Sequence, residues 1–315
     1  MARRPAVSRR TIWVDLLLYP SHTLPTAAAP VVVGAGLAVH DGVFRPLPMA
    51  LGFLASWLIH TAGVFTDNYD LIAHHSELRE HPELLDALDQ GSLTFARLRA
   101  AIITCLVLAL VPGPYLLHVA GFPAVVLGVV GILASLGYSL GRYSMTRLGV
   151  ADAAFFVMFG VVAVAGTYYV QAAAGHLAGT GFLFAPVALP LSALVAGLPV
   201  GGLVTNVLLI DDLRDRRFDI LKGWRTPPIR FGVRGTRVEF AAFTSLAFLM
   251  PLWFWLGLGF SPWVLLTLLT LPEAVAVVRT IWTRDRFEDL FPMTPRAARL
   301  ALAHSVLLAI GLAIH

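Results

Sequence analysis

The sequence predicts an all-α polytopic membrane protein with nine transmembrane helices, and three observations predict it. Of its 315 residues, 57% are hydrophobic and only 13% charged, against about 25% charged in a soluble domain. The apolar residues fall into repeated runs close to the roughly 20 needed to cross a bilayer. The basic residues collect in alternate connections between those runs.

The first run, about 23–40, follows Arg3, Arg4, Arg9 and Arg10. That start resembles a signal sequence, but no small-residue cleavage site closes a short apolar core and many spans follow, so an uncleaved span is expected. The second, about 47–66, runs into an acidic segment. The third and fourth, about 98–118 and 121–140, are separated by a short connection, and Pro112 and Pro114 lie near the end of the third. The fifth is about 151–173. The sixth, about 182–210, contains Pro186 and Pro190 and leads into a second acidic segment. The seventh, eighth and ninth are about 239–258, 261–280 and 297–314. Prolines such as Pro25 and Pro30 are tolerated within spans where neighbouring helices pack against the break.

With the N-terminus on the cytoplasmic side, 22 of the 23 Lys and Arg residues fall in cytoplasmic segments and Arg45 alone falls outside. This positive-inside pattern predicts N-in, C-out and an odd number of spans. It also absorbs most of the formal charge of +4, so the basic excess does not point to nucleic acid. Cys105, the single cysteine, excludes an internal disulfide and reads as a buried thiol. The chain is expected to be one integral-membrane domain over 1–315, with cytoplasmic cap loops at about 67–97 and 211–238.

Two acidic clusters stand where apolar runs end. One reads Thr66-Asp67-Asn68-Tyr69-Asp70, continuing to His74. The other reads Asp211-Asp212-Leu213-Arg214-Asp215-Arg216-Arg217-Phe218-Asp219. A carboxylate near a span costs about 2.5–3.5 kcal/mol at a helix centre on insertion scales, and Mg²⁺ bridging to a phosphorylated ligand would offset that cost. Asp211, Asp215 and Asp219 are spaced i, i+4, i+8 and share one helical face. Asp67 and Asp70, three apart, share another. Arg214, Arg216, Arg217, Lys222 and Arg225 lie close enough in sequence to meet phosphate oxygens. The competing reading of the second cluster is a solvated helix end with i, i+4 ion pairs; an acidic cluster on the same predicted side weighs against it. His74, His75 and His81 carry no zinc-like spacing. The stretch 81–91 reads as a short helix, with Pro82 in its first turn and Gly91 as its stop. Its Leu84, Leu85 and Leu88 stripe suits an interfacial lid.

Four stretches carry a family resemblance: His22-Thr23-Leu24-Pro25 running into Ala29-Pro30-Val31-Val32-Val33-Gly34; Phe159 through Gly166-Thr167-Tyr168-Tyr169-Val170-Gln171; Leu198-Pro199-Val200-Gly201; and Gly223-Trp224-Arg225-Thr226 followed by Ile229-Arg230-Phe231-Gly232. With the two clusters, they make the chain resemble the UbiA superfamily of membrane prenyltransferases over nearly its whole length. Within it, the likeness is to the 1,4-dihydroxy-2-naphthoate polyprenyltransferase branch of menaquinone biosynthesis. The family's second motif, Asp-x-x-x-Asp-x-x-x-Asp, maps onto Asp211, Asp215 and Asp219. Its first motif maps onto Asp67 and Asp70, with Thr66 at the usual leading Asn and His74 at the usual final Asp.

The resemblance implies a helical bundle around a central cavity open to the cytoplasmic side, in a bacterial inner membrane. It implies Mg²⁺-dependent transfer of a polyprenyl group from an allylic diphosphate to an aromatic acceptor, with decarboxylation when the acceptor is the naphthoate. Asp67, Asp70, Asp211, Asp215 and Asp219 would hold the metal. Arg214, Lys222 and Arg225 would assist at the diphosphate, with Asn68 and Tyr69 nearby. Tyr69, Tyr138, Tyr168 and Tyr169 either line the path of the allylic cation or are ordinary interfacial and core aromatics. Asn206 either faces the acceptor or bonds a neighbouring helix. The rival readings are another aromatic acceptor, a non-catalytic lipid-sensing or scaffold protein with a degenerate first motif, and a transporter, which would place charges mid-span.

Overall fold

The computed structural model describes residues 23–73, 82–175 and 187–315. The N-terminal arginines, His22, His74, His75, His81 and the start of the expected sixth span lie outside these residues. Every regular element among the described residues is helical. We number them α1 Thr23–His40, α2 Pro46–Ala73, α3 Pro82–Asp89, α4 Phe95–Ala120, α5 Phe122–Gly137, α6 Met145–Leu148, α7 Ala151–Ala173, α8 Leu191–Lys222, α9 Pro227–Arg230, α10 Gly232–Leu258, α11 Pro262–Thr283 and α12 Phe287–Ala313.

Among the described residues, eight helices are long and apolar enough to cross a membrane, and α5 is a shorter apolar helix of 16 residues. The expected boundaries shift where polar residues ride on a helix that hydropathy alone would end. α2 carries on through Asp67 and Asp70 to Ala73, and α8 through all of Asp211–Asp219 to Lys222. The segments expected to be loops from 67 and from 211 therefore begin as helix. Intrahelical hydrogen bonding continues regardless of side-chain polarity, so a hydropathy window sees the end of the apolar stripe and not the end of the helix. α8 stops where Gly223 adopts φ 70° and Trp224 N–H reaches back 2.9 Å to Asp219 O; a left-handed cap favours glycine. In α4, Pro112 separates Phe95–Leu110 from Gly113–Ala120, as a residue lacking a backbone donor does.

α8 is the central helix, buried on nearly all sides from Gly197 to Ile210. α7, α10 and α12 pack around it. α1 packs against α12, α7 and α2, while α2 is flanked by α4 and α5. α5 has no buried residue and packs loosely between α2 and α7. The tight seam is α7 on α8. A β-carbon added to Gly160 would stand 2.6 Å from Gly197 O and 2.9 Å from Gly201 Cα, so only glycines allow the backbones to approach this closely. Gly160→Val is expected to cost about 1–3 kcal/mol or more by overpacking, read as a lower thermal midpoint in detergent. An unchanged midpoint would mean that the seam opens freely.

α3 packs through Leu85, Ala87 and Leu88 onto a cluster containing Phe65, Tyr69 and Ile72 of α2, joined by Leu93 and Leu98. The short helix read from Pro82 and Gly91 thus lies against the acidic end of α2. Arg97 Nη1 ties its exit by bonding Gly91 O and Ser92 O at 2.6 and 2.9 Å. Glu273, midway along α11, forms an ion pair with Arg296 of α12. A charge at that depth needs such a partner.

Candidate active site

The bundle encloses a cavity of about 310 Å³ lined mainly by α2, α5 and α7, with Thr26 and Val31 of α1 and Val207, Leu208 and Asp211 of α8. On α7 the lining runs from Ala154 to Gln171, about 25 Å of helix at 1.5 Å per residue. One end holds Asp67, Asp211 and Tyr138; the other holds Pro48, Met49 and Gln171. Between them the wall is mostly apolar. The cavity therefore has the shape and polarity of a site for a long amphiphile whose head lies among acids.

The helices explain the acid grouping. Asp67 and Asp70 occupy the last two turns of α2, and Asp211, Asp215 and Asp219 the last turns of α8. The clusters meet electrostatically: Lys222, Asp70, Asp211 and Asp215 are the charges acting on Asp67, and Asp215, Lys222 and Asp67 act on Asp219. Lys222, 7% exposed, thus stands between the two clusters, its Nζ 4.2 Å from the Trp224 ring centroid. Asp67 Oδ1 is buried with no hydrogen-bond partner. Such an orphan anion oxygen is costly unless a ligand completes it.

The second cluster is organised by Arg214. Its Nε and Nη2 donate to Asp215 Oδ1 and Oδ2 at 2.8 and 2.5 Å. Its Nη1 lies 2.5 Å from Asp211 Oδ1 and 3.3 Å from Thr294 Oγ1. The Thr294 hydroxyl donates to Asp211 Oδ1 at 2.6 Å. Phe287 and Phe291 place their ring centroids 5.6 Å from the guanidinium carbon. Asp219 Oδ2 accepts from Thr226 Oγ1 at 3.1 Å. Arg214, expected at the diphosphate, is thus engaged in holding two carboxylates and in fastening α8 to the start of α12.

The remaining expected residues separate. Tyr138 lines the cavity and lies among Asp212, Asp67, Asp219 and Asp211. Asn68 donates to Val64 O of its own helix at 2.8 Å, and Tyr69 stacks edge-on against Phe95 at 5.0 Å. Neither lines the cavity. Arg225 is exposed, and its backbone N–H donates to Thr146 O at 2.8 Å. Tyr168 is turned to the opposite end, where its hydroxyl donates to Asp41 Oδ2 at 2.5 Å. Tyr169 donates to Ala120 O at 3.0 Å. Asn206 Nδ2 bonds Phe240 O and Thr244 Oγ1 of α10 at 3.1 and 2.9 Å, a helix–helix contact. Asn206→Ala is expected to lower stability by about 0.6 kcal/mol and to leave the acceptor KM unchanged. A raised KM with unchanged melting would return Asn206 to the substrate.

Sequence reasoning missed Thr294, Phe287 and Phe291, which come from α12, and Phe155, Phe159 and His60, which line the cavity. The signal for His60 was present: it lies seven residues before Asp67, two helical turns along the same face. Asp212 follows Asp211 in the same cluster. It is buried behind the stripe, where Asp219 and Asp152 act on it, and Asp152 pairs with Arg230 at 3.4 Å.

Among the described residues no three His, Cys, Asp or Glu side chains stand close enough to hold an ion by themselves. The donors are all carboxylate oxygens, which suits a hard cation, and the orphaned Asp67 oxygen is available to one. Mg²⁺ typically takes only one or two carboxylates and completes its shell with substrate phosphates and water, so the residues present fit such an ion.

The UbiA prenyltransferase family model matches residues 27–303. A 1,4-dihydroxy-2-naphthoate octaprenyltransferase of Escherichia coli K12 is 28% identical over 314 residues, covering 97% of this chain and 96% of that one. Those of Haemophilus influenzae and Mycobacterium tuberculosis are 26% and 28% identical, covering 93% and 86% of this chain and 93% and 87% of their own. Among solved structures, a UbiA homologue from Aeropyrum pernix K1 superposes with TM-score 0.66 at 17% identity, covering 90% of this chain and 96% of that one. A digeranylgeranylglyceryl phosphate synthase superposes with TM-score 0.55 at 14% identity, covering 96% and 99%. At these identities the two structures establish the fold.

Proposed function

The chain belongs to the UbiA prenyltransferase family, and from that premise we propose that it transfers a polyprenyl group from an allylic diphosphate to 1,4-dihydroxy-2-naphthoate, with loss of CO₂, in menaquinone biosynthesis. It is an integral, multi-pass membrane prenyltransferase acting on an aromatic acceptor. The naphthoate is our choice of acceptor because the relatives described above carry that activity in their names. We place the aspartate end on the cytoplasmic side of a bacterial inner membrane, from the positive-inside pattern.

The observation that carries the reading is the cavity itself, with two facing carboxylate groups at one end and an apolar bore beyond. A prenyl diphosphate has the same division. Members of the family generally use a divalent metal to hold the diphosphate; we propose Mg²⁺, each ion held by one or two of Asp67, Asp70, Asp211, Asp215 and Asp219 and otherwise by the diphosphate and water. When bound, Mg²⁺ stabilises the negative charge that develops on the leaving diphosphate. Lys222, between the two clusters, adds a fixed positive charge for the same oxygens. Arg214 holds Asp211 and Asp215 in register. The allylic C–O bond breaks with its electron pair leaving on diphosphate, and the electron-rich ring supplies the pair for the new C–C bond. Loss of the ring carboxylate as CO₂ returns that pair and restores aromaticity. The Tyr138 ring, which lines the cavity beside the acids, would stabilise positive charge developing on the allyl group by cation–π contact. The apolar wall beyond the acids gives that carbon few polar neighbours.

The test is prenyl transfer by purified protein in nanodiscs, with products read by mass spectrometry. Decarboxylated, prenylated naphthalene-1,4-diol is expected with Mg²⁺, and none with EDTA. Turnover only with another aromatic acceptor would reject the naphthoate. Turnover undiminished by EDTA would reject the metal. Silence of the folded protein with every acceptor would favour the non-catalytic reading.

A further inference from the structure

A row of rings leads from the acids into the cavity. Tyr138 lies 6.0 Å from Phe155 between ring centroids, Phe155 lies 4.5 Å from Phe159, and Phe159 meets the His60 imidazole edge-on at 4.9 Å. All four residues line the same cavity. Tyr138 begins the row beside Asp67 and Asp211; His60 ends it, seven residues before Asp67 on α2, about 10 Å along the helix axis. Local backbone geometry contributes. Residues Phe156–Val162 form a π-helical turn in α7, and such turns are frequent at functional sites because they re-aim the side chains around them.

His60 brings an imidazole to a stretch of the bore bounded by Ile59, Val64, Met158, Phe159 and Val162, with Thr26 and Ser56 also in its wall. A hydrocarbon tail has no use for an imidazole. The ring is also oriented: Nε2 lies 3.2 Å from Thr26 Oγ1, which itself donates to Thr23 O at 3.2 Å. In apolar ligand sites, a few fixed polar groups set orientation and specificity.

We propose that the aromatic acceptor lies along the Tyr138–Phe155–Phe159 row and that His60 hydrogen-bonds a ring hydroxyl at its far end, making His60 the residue that selects the acceptor. This rests on the prenyl-transfer reading and deepens it. The carboxyl-bearing carbon of a planar two-ring acid is then held at the reacting end, and the C4 hydroxyl of that same ring at the imidazole. The prenyl chain takes the rest of the bore, toward Leu116, Leu127 and Val170.

The test is steady-state kinetics of His60→Phe, which keeps the ring and the edge-on contact but removes the hydrogen bond. The KM for 1,4-dihydroxy-2-naphthoate is expected to rise about 5–30-fold, the factor for one to two kcal/mol, with the KM for the prenyl diphosphate unchanged. The variant is also expected to handle 1-hydroxy-2-naphthoate as well as the dihydroxy acid, a difference that the wild type discriminates. A purely packing role for His60 would not remove that discrimination. A raised prenyl diphosphate KM with an unchanged acceptor KM would overturn the proposal and give the row to the chain. Photolabelling wild-type protein with an azidonaphthoate, without prenyl diphosphate, requires no variant to fold. Adducts on Phe155, Phe159 or His60 are expected, and adducts confined to other residues overturn the proposal. If the wild type labels in the row yet transfers prenyl to no acceptor, the acceptor site stands and the reaction falls.

Discussion

Asp67→Asn is expected to abolish prenyl transfer while leaving the protein at least as stable as the wild type. The two halves of that expectation come from one observation. Asp67 points a buried, unpartnered oxygen among Asp70, Asp211 and Asp215, with Lys222 as the balancing cation. Without a metal cation among them, these carboxylates are an unfavourable gathering of like charge, so removing one charge relieves it. In the loaded site that charge is what a metal and diphosphate need. Removing a single preorganised electrostatic group costs about 10²–10³ in kcat, and a metal ligand costs at least as much. Activity by mass spectrometry and thermal melting of the same sample check both halves. A variant that is dead because it is unfolded would not support the assignment; a folded variant with full activity would remove Asp67 from the site. Asp70→Ala and Asp215→Ala are expected to lose activity likewise. Asp215 differs in also holding Arg214, so its loss is expected to lower the melting midpoint.

The second large effect is at Arg214. Arg214→Met keeps much of the volume and removes the charge. Two carboxylates lose their counter-ion together, and α12 loses its tie through Thr294, Phe287 and Phe291. The Arg214 side chain is 11% exposed and those of Asp211 and Asp215 are 25% and 24% exposed, so water screens the loss only in part. Breaking a buried pair by removing one partner costs about 3–5 kcal/mol, and the upper half of that range applies only to full burial. Arg214→Lys is expected to recover little, because an ammonium cannot make the two-pronged contact to Asp215 that the guanidinium makes. The discriminating measurement is the melting midpoint with and without Mg²⁺. The ion is expected to raise the midpoint of Arg214→Met more than that of the wild type, because it replaces the missing cation. Equal shifts, or a wild-type midpoint in the variant, would mean that Arg214 does not organise the cluster.

The clusters themselves were legible in sequence because α-helical periodicity is a local property. The i, i+4, i+8 spacing placed Asp211, Asp215 and Asp219 on one face of α8 without knowledge of anything else in the chain. Arg214 shows the limit. Sequence put it beside the acids and suggested phosphate, since an arginine next to a phosphate-binding motif has that use. Its partners include Thr294, 80 residues away, and no local pattern reports a partner at that distance. Tyr168 fails for the same reason. It sits in one of the most distinctive stretches of the chain, yet helical rise carries it to the end of α7 remote from the acids, where Asp41 takes its hydroxyl.

Length and hydropathy determined that this chain is a membrane-spanning helical bundle. They do so because the bilayer imposes the same requirement on every span: backbone groups paired within the segment and an apolar surface. The order of helices along the chain, the two acidic clusters and the short helix after Pro82 followed from period and caps, which are also local. Which helices meet was decided by shape. The glycine seam of Gly160, Gly197 and Gly201 sets α7 against α8, and the loosely packed α5 leaves the bore open between α2 and α7. That packing brings Asp67 opposite Asp211 and sets His60 at the end of a row of rings. Side-chain chemistry could be read one residue at a time; the distances between residues on different helices exist only once the helices are packed.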